Sequence, residues 1–140
     1  MQGRYVHLRS GVIIANAKQA EMIREPLADL EQLRLDAFDY VQDALEYINR
    51  RHPHVVIADY ERFGAAGIHG LAEIMHIADC PVILIVRDVS EWEREQFNAL
   101  GVHSIFEGKF KLADLAASVD RALKRRRRIG SSDRLPVVSV

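Results

Sequence analysis

The sequence predicts an α/β protein in which a parallel sheet is covered by helices on both faces. Two kinds of segment alternate along the chain, namely short runs rich in Val and Ile and longer segments with apolar residues at helical spacing. Near-continuous apolar runs are typical of strands that are buried on both sides, and strands that alternate with helices pair in parallel. The length of 140 residues suits a single domain built in this way.

Five short segments are the candidate strands. Four of them are almost entirely apolar, and the fifth is more polar, as expected for a strand near the edge of a sheet. The apolar segments are GVIIAN (11–16), HVVIAD (54–59), PVILIV (81–86) and VHSIF (102–106), and the polar one is LRLDAF (33–38). Together with the longer segments between them, they give the order βαβαβαβαβα.

Two of the longer segments carry a clear apolar stripe. In DYVQDALEYINRR (39–51) and LADLAASVDRALKR (112–125), apolar residues recur every three or four positions. This spacing places them on one face of a helix, which is the face that packs on a sheet. Both segments are therefore predicted to be helices of the covering layers.

Local signals mark where other helices begin and end. The helical segment VSEWEREQFNAL (89–100) contains the capping-box pattern Ser90-x-x-Glu93 and is followed by Gly101, a residue typical of C-terminal caps. Pro26 lies inside the first helical segment. Because proline removes a helix hydrogen bond, we expect a kink or a break there.

The chain changes character near its end. The basic run KRRRR (124–128) is followed by Gly, Ser, Asp and Pro, which predicts a domain over residues 1–128 and a flexible tail or linker over 129–140. Cations at a helix C-terminus interact favourably with the helix dipole, and we favour this role for the run. The alternative is a patch that binds nucleic acid or anionic lipid.

Composition restricts the classes of function. The formal net charge is −1, so bulk charge does not indicate binding to nucleic acid or to a membrane. The longest apolar run, PVILIV, is far shorter than a membrane span, and the N-terminus lacks the apolar region of a signal peptide. The histidines are dispersed, and the single cysteine suits a reducing compartment. We therefore expect a cytoplasmic protein without a metal site.

Five βα units of this size correspond to the flavodoxin-like doubly wound sheet, with strand order 2-1-3-4-5. Over residues 10–126, the chain resembles the receiver domain of bacterial two-component response regulators. The third strand and phosphoacceptor loop of receivers are similar to RRHPHVVIADYERFGAAG, in which Gly67 follows Asp59 by eight residues. The later elements of receivers are similar to CPVILIVRDVSEWEREQFNALGVHSIFEGKF and to KFKLADLAASVDRAL.

The resemblance implies a specific set of chemical groups. In receivers an aspartate carboxylate accepts a phosphoryl group, and Mg²⁺ held by further acids draws charge from its oxygens. The resemblance places Asp59 at the phosphoacceptor position, but Asn16 and Ala17 occupy the positions of the two other acids. We therefore expect no cofactor, with Mg²⁺ binding weak or absent, and we interpret Asp59 as a remnant.

The remaining positions of the receiver set also differ. A hydroxyl and a lysine normally stabilise the phosphoryl oxygens. The resemblance places Val86 at the hydroxyl position and Gly108 at the lysine position, with Lys109 one residue later. A shift of one residue aims a side chain at the opposite face of a strand. The switch aromatic of receivers corresponds to Ile105, with Phe106 next to it.

These losses lead to a pseudo-receiver hypothesis. The chain would be a signalling module, not an enzyme, that acts through protein–protein interaction or dimerisation without phosphorylation. In receivers the face formed by the fourth helix, fifth strand and fifth helix is the usual partner surface. The corresponding residues here are Trp92, Gln96, Ile105, Phe106, Lys109, Lys111 and Arg121.

Other hypotheses stay open at this point. The chain would be a degenerate but functional receiver that is phosphorylated at Asp59 with help from Lys109, or the regulatory N-terminal domain of a transcription factor or RNA-binding antiterminator. The expected partner is a sensor kinase, an effector domain or a second copy, and nucleic acid would be contacted only through a separate effector domain. A flavodoxin-like enzyme is disfavoured, because NAKQAE after the first strand lacks the glycines of a phosphate-binding loop.

Overall fold

A computed structural model describes residues 9–30 and 32–132, and it describes no side chains from residue 125 onward. The strands are β1 (Arg9–Ile14), β2 (Leu33–Phe38), β3 (Val55–Asp59), β4 (Val82–Val86) and β5 (Ser104–Glu107). The helices are α1 (Ala17–Leu27), α2 (Val41–Arg51), α3 (Gly67–Ile77), α4 (Glu91–Leu100) and α5 (Leu112–Ser132). A 3₁₀ segment (Tyr60–Ala66) joins β3 to α3.

All strand pairs are parallel, and the sheet has the order β2-β1-β3-β4-β5. The predicted flavodoxin-like topology is confirmed. β3 lies in the centre of the sheet, where all five of its residues are buried, as the apolar run predicted. β2 lies at one edge and has no fully buried residue, which agrees with its more polar sequence.

The sheet separates two apolar cores. On one face α2, α3 and α4 cover alternate strand residues such as Val56 and Leu84, with Phe97 of α4 fully buried among them. On the other face α1 and α5 cover the intervening residues, such as Ile57 and Ile83. Because successive strand side chains point to opposite faces, each central strand contributes to both cores. This is the doubly wound arrangement.

The element boundaries show where local chemistry ends a helix. α1 ends at Leu27, directly after Pro26, and the amide of Ala28 donates to the carbonyl of Glu25 at 3.2 Å to close the last turn. Pro26 is thus the penultimate residue of α1, and the longer kinked helix allowed by the sequence does not form. β1 ends at Ile14, two residues before the predicted end, because Asn16 serves as the cap of α1.

α5 is longer than the sequence predicted. Its backbone continues to Ser132, past the predicted helix end at residue 125 and past the proposed domain boundary at 128. Consecutive arginines are good helix formers, which explains why the basic run continues the helix. Most of the predicted tail, residues 133–140, lies outside the described residues. Within the described part of the chain, no helix has the length and apolarity needed to cross a membrane.

Parallel strands bring the functional positions together. The loops that follow β1 to β5 all lie at the end of the sheet where the strands finish, which we call the carboxyl edge. Asp59 is the last residue of β3 and therefore occupies the middle of this edge. In open α/β sheets, ligands and reactive groups are found at this edge.

Candidate functional site

Asp59 is a buried carboxylate at the carboxyl edge. Its residue is 3% exposed, and its Oδ1 accepts a hydrogen bond from the amide of Glu61 at 3.1 Å. That bond caps the 3₁₀ segment that begins at Tyr60. Its Oδ2 lies 3.9 Å from Nη2 of Arg87. Both carboxylate oxygens are thus already engaged by groups of this chain.

Burial and hydrogen-bonding or charged neighbours shift the pKa of Asp59 in opposite directions. Burial raises the pKa of its carboxyl above the ordinary value of 3.8, because a desolvated carboxylate is harder to charge. The amide of Glu61 and the guanidinium of Arg87 lower the pKa, and the nearby Glu61 carboxylate raises it further. The net direction is upward, so desolvation outweighs the stabilising partners.

Arg87 bridges two carboxylates at this edge. It directly follows β4, the strand that pairs with β3, and this neighbouring position brings its side chain to the end of β3. One nitrogen, Nη2, lies 2.8 Å from Oε1 of Glu61 and 3.9 Å from Oδ2 of Asp59. The sequence patterns did not single out this residue, although an arginine directly follows the strand that was expected to adjoin the Asp59 strand.

The residues at the expected metal position do not fit Mg²⁺. Asn16 is the N-cap of α1, and its Oδ1 accepts from the amide of Gln19 at 2.8 Å. Ala17 begins the helix and carries no donor atom. Mg²⁺ requires anionic oxygen ligands, yet the carboxylate of Asp59 and that of Glu61 beside it already lie against the guanidinium of Arg87. Among the described residues, no group of three or more His, Cys, Asp or Glu is placed to hold a metal ion.

The hydroxyl and lysine positions of receivers are likewise chemically different here. Val86 is 1% exposed, and its side chain belongs to the core under α2, α3 and α4. Gly108 has a φ of +67°, and its amide donates to the carbonyl of Val86 at 3.1 Å. Lys109 is exposed and forms no hydrogen bond or ion pair within the part of the chain that the structure describes.

Tyr60 ties the 3₁₀ segment to α4. Its hydroxyl donates to Oε2 of Glu93 at 3.0 Å, and its ring packs edge-on against Phe97 with 4.9 Å between centroids. Burial and this hydrogen bond raise the pKa of Tyr60 to about 12. Glu93 also completes the capping box with Ser90, as predicted. Its pKa is lowered, first by the Ser90 amide and then by the Tyr60 hydroxyl.

Two further ion pairs connect neighbouring loops of the carboxyl edge. Arg62 of the 3₁₀ segment donates to the carbonyl and carboxylate of Asp39, after β2. Arg94 of α4 donates to the carboxylate of Glu107, the last residue of β5. Together with the Arg87–Glu61 pair and the Tyr60–Glu93 hydrogen bond, these two ion pairs connect the loops of the carboxyl edge from β2 to β5. We call these four contacts the edge bridges.

The proposed partner surface is only partly formed by exposed side chains. Trp92 is 58% exposed, and Lys109, Lys111 and Arg121 are also exposed. Gln96 is half-buried.

The two apolar residues that β5 contributes to that surface lie on opposite faces of the sheet. Ile105 packs towards the α2–α3–α4 core, and Phe106 packs towards the α1–α5 core. The ring centroid of Phe106 also lies 5.3 Å from that of Phe110. These two side chains are half-buried at the sheet edge and face opposite sides of the sheet.

Comparison with known proteins identifies the fold. No protein-family model matches the chain, and no curated protein matches it. The signal receiver domain of a Luxo repressor protein from Vibrio parahaemolyticus superposes with a TM-score of 0.78 at 20% identity, over 91% of this chain and 98% of that one. The chain has the receiver-domain fold. A CheY-like receiver domain protein from Methanospirillum hungatei gives a TM-score of 0.76 at 12% identity, over 86% and 98%.

The receiver fold also occurs within a longer solved chain. NtrX from Brucella abortus, in complex with ADP, superposes with a TM-score of 0.71 at 24% identity. The match covers 94% of this chain and 31% of that chain. In NtrX the matched part is therefore a fraction of a larger protein.

Proposed function

We propose that this chain is a receiver-type signalling module that acts through contacts with another protein and does not transfer a phosphoryl group at Asp59. The observation that carries the proposal is the environment of Asp59. Its carboxylate is buried, caps the 3₁₀ segment and lies beside the guanidinium of Arg87.

At the positions where phosphoryl transfer requires particular chemical groups, this chain has residues of different chemistry. Stabilising the transferred phosphoryl oxygens takes a metal ion, a hydroxyl and a cation aimed at them. Asn16 uses its oxygen to cap α1, and Val86 places a methyl-bearing side chain in the core. Among the described residues, Lys109 forms no hydrogen bond or ion pair with Asp59. A carboxylate without these partners is a weak nucleophile towards phosphate.

A protein contact would let this fold signal without phosphorylation. The exposed part of the α4–β5–α5 face combines one large aromatic side chain, Trp92, with the cations Lys109, Lys111 and Arg121. Tryptophan and arginine are enriched among the residues that dominate protein interfaces. The partner would be a sensor kinase, an effector domain like the remainder of a longer receiver protein, or a second copy of the chain.

The decisive experiment is intact-mass spectrometry after incubation with acetyl phosphate and Mg²⁺. The proposal expects no phosphoryl adduct on the wild-type chain under conditions that modify a functional receiver to near completion. An Asp59→Asn variant is the matched control. An adduct on the wild type that is absent from this variant would overturn the proposal in favour of a degenerate but functional receiver.

The contact surface has a separate test. Sedimentation velocity over a range of concentrations measures self-association of the wild type and of a Trp92→Ala variant. If a second copy is the partner, the variant should dissociate at concentrations at least about tenfold higher, since truncating an aromatic anchor commonly costs 2 kcal/mol or more. Met22→Ala, which truncates another exposed apolar residue on α1, should leave the association unchanged.

A further inference from the structure

We propose that Arg87 is a tethered cation that takes the place of a metal ion at Asp59. In this arrangement the guanidinium neutralises the Asp59 and Glu61 carboxylates together, so the site needs no dissociable ion. By the same contacts it holds the loop after β4 against the 3₁₀ segment. This role of Arg87 depends neither on a protein partner nor on phosphorylation of Asp59.

The geometry places one positive atom between two negative groups. Nη2 of Arg87 is 2.8 Å from the Glu61 carboxylate, a hydrogen-bonding distance, and 3.9 Å from the Asp59 carboxylate, an ion-pair distance. A guanidinium remains protonated at all accessible pH values. Arg87 is thus a permanent part of the site, whereas a bound metal ion exchanges with solvent.

Removal of this cation would leave an unfavourable arrangement. Asp59 is 3% exposed, and no other cation of the described residues lies within ion-pair distance of it. A buried carboxylate without its partner is strongly destabilised, and a second carboxylate beside it adds repulsion. A divalent cation, which prefers anionic oxygen ligands, could relieve this repulsion. The Asp59–Glu61 pair is therefore a latent cation site that Arg87 fills.

The same contacts hold the β4–α4 loop in one position. Arg87 connects the start of this loop to Glu61 of the 3₁₀ segment, and the Tyr60–Glu93 hydrogen bond connects the same segment to the first turn of α4. Between them Asp88 has a φ of +51°, in the left-handed region that residues other than glycine seldom adopt. Such a conformation persists where the surrounding contacts determine it.

A binding experiment separates the tethered cation from an ordinary surface arginine. Mn²⁺, which is readily followed by electron paramagnetic resonance, should bind an Arg87→Ala variant with a dissociation constant on the order of 1 mM. The wild type and an Arg87→Lys variant should bind at least about tenfold more weakly, because each keeps a cation at the site. A double variant, Arg87→Ala with Glu61→Gln, should lose the acquired binding.

Arg34→Ala is the matched control, because Arg34 also lies 3.9 Å from a carboxylate, that of Asp36 on β2. This variant should behave as the wild type does. Equal Mn²⁺ affinity in the wild type and in Arg87→Ala would overturn the proposal. Failure of a folded Arg87→Ala variant, verified by circular dichroism, to acquire binding would do the same.

Hydrogen exchange tests the second part of the inference. In Arg87→Ala the amides of residues 87–93 should exchange at least about tenfold faster than in the wild type, because one of the two connections to the 3₁₀ segment is gone. Adding Mn²⁺ or Mg²⁺ to this variant should slow the exchange again, since the metal ion replaces the tethered charge. Faster exchange that metal ions do not reverse would contradict the proposal.

These outcomes are distinguishable from those of the proposed function. Neither measurement involves a phosphodonor or a protein partner. A negative result here leaves the mass-spectrometric test of phosphorylation unaffected. A phosphoryl adduct on Asp59 would likewise leave the exchange and metal-binding results to be judged by themselves.

Discussion

At the scale of single residues, Asp59 shows how burial and pairing compete. Burial raises its pKa, so the folded protein binds the Asp59 proton more tightly than the unfolded chain does. The stability contribution of this group is therefore fully present below the ordinary pKa of 3.8 and is lost as the pH rises through the raised value. At neutral pH the charged carboxylate opposes folding.

We accordingly expect Asp59→Asn to increase the free energy of unfolding at pH 7 by about 1 kcal/mol, an ordinary size for a single substitution. The amide oxygen of asparagine still accepts the Glu61 hydrogen bond, and the burial of a charge is removed. Urea denaturation at pH 7 and near pH 4 measures the effect, which should shrink towards the acidic end. A less stable variant at pH 7 would show that the Arg87 pairing outweighs desolvation.

Tyr60 offers a spectroscopic test of the contact with α4. Its pKa of about 12 means that its neutral form is favoured by folding. This contribution is complete below the ordinary value of 10.0 and is lost as the pH rises through about 12. Absorbance titration near 295 nm should therefore contain a late component that becomes smaller in Tyr60→Phe without vanishing, because the hydrogen bond to Asp36 also raises the pKa of Tyr47. A late component of unchanged size in the variant would contradict the assignment to Tyr60.

Some residues of the candidate site could be predicted from the sequence, and others could not. The resemblance to receivers placed Asp59, Asn16 and Val86 at the carboxyl edge, because those positions lie at fixed distances from strand ends. It did not reveal Arg87 as the partner of Glu61, which lies 26 residues earlier in the chain. A long flexible side chain reaches several acids from a strand end, and a single sequence does not indicate which acid it contacts.

At the scale of elements, α4 depends on its first turn. The capping box predicted from Ser90 and Glu93 is confirmed, with both reciprocal hydrogen bonds present. We expect Ser90→Ala to lower the free energy of unfolding by about 1 kcal/mol, the usual effect of losing an N-cap side chain. Ser90→Thr should retain most of the stability, and thermal unfolding of both variants provides the comparison. An unaffected Ser90→Ala variant would indicate that tertiary packing alone holds this turn.

Helix and strand ends were predictable where a residue type restricts the backbone directly. Ser90 and Gly101 mark the two ends of α4, and Gly101 caps it with a φ of +86°. Pro26 was expected to kink or break a helix, and the structure has it as the penultimate residue of α1. The 3₁₀ segment after Asp59 was not predicted. It depends on the carboxylate of Asp59 capping it and on Gly64 adopting a positive φ, and neither follows from apolar periodicity.

At the scale of the whole molecule, the two cores share one sheet. Phe97 fills the α2–α3–α4 side and Leu115 fills the α1–α5 side, and both are fully buried. We expect Phe97→Ala to cost about 3–5 kcal/mol and Leu115→Ala about 2–5 kcal/mol in unfolding free energy. Because the sheet separates the two sites, the costs should add to within about 0.5 kcal/mol in the double variant.

Chemical denaturation followed by circular dichroism and by Trp92 fluorescence provides this measurement. Each single variant should show one transition at which both signals change together, as expected for a single cooperative unit. Should the double variant be too unstable to fold, Phe97→Leu and Leu115→Val provide a milder pair. Separate transitions for the two signals would show that one helical layer unfolds without the other.

The architecture was predictable because two independent regularities agree. The apolar runs of β3 and β4 are buried on both faces, and the helical stripes in α2 and α5 have the spacing that covers a sheet. Alternation of such elements leaves few topologies, since crossovers between parallel strands share one hand. The edge bridges were not predictable, because they join side chains of loops whose conformations depend on one another.

The edge bridges are weakened by salt in the solvent, whereas the apolar cores are not. The Arg87–Glu61 and Arg94–Glu107 pairs are partly exposed, so dissolved ions compete with them, and screening acts over about 8 Å at physiological ionic strength. Apolar burial is not weakened in this way, and some salts strengthen it. A rise in salt concentration should therefore loosen the loops around Asp59 while the sheet and its helices stay intact. Ionic strength then becomes a means of varying the carboxyl edge alone, without any change to the chain.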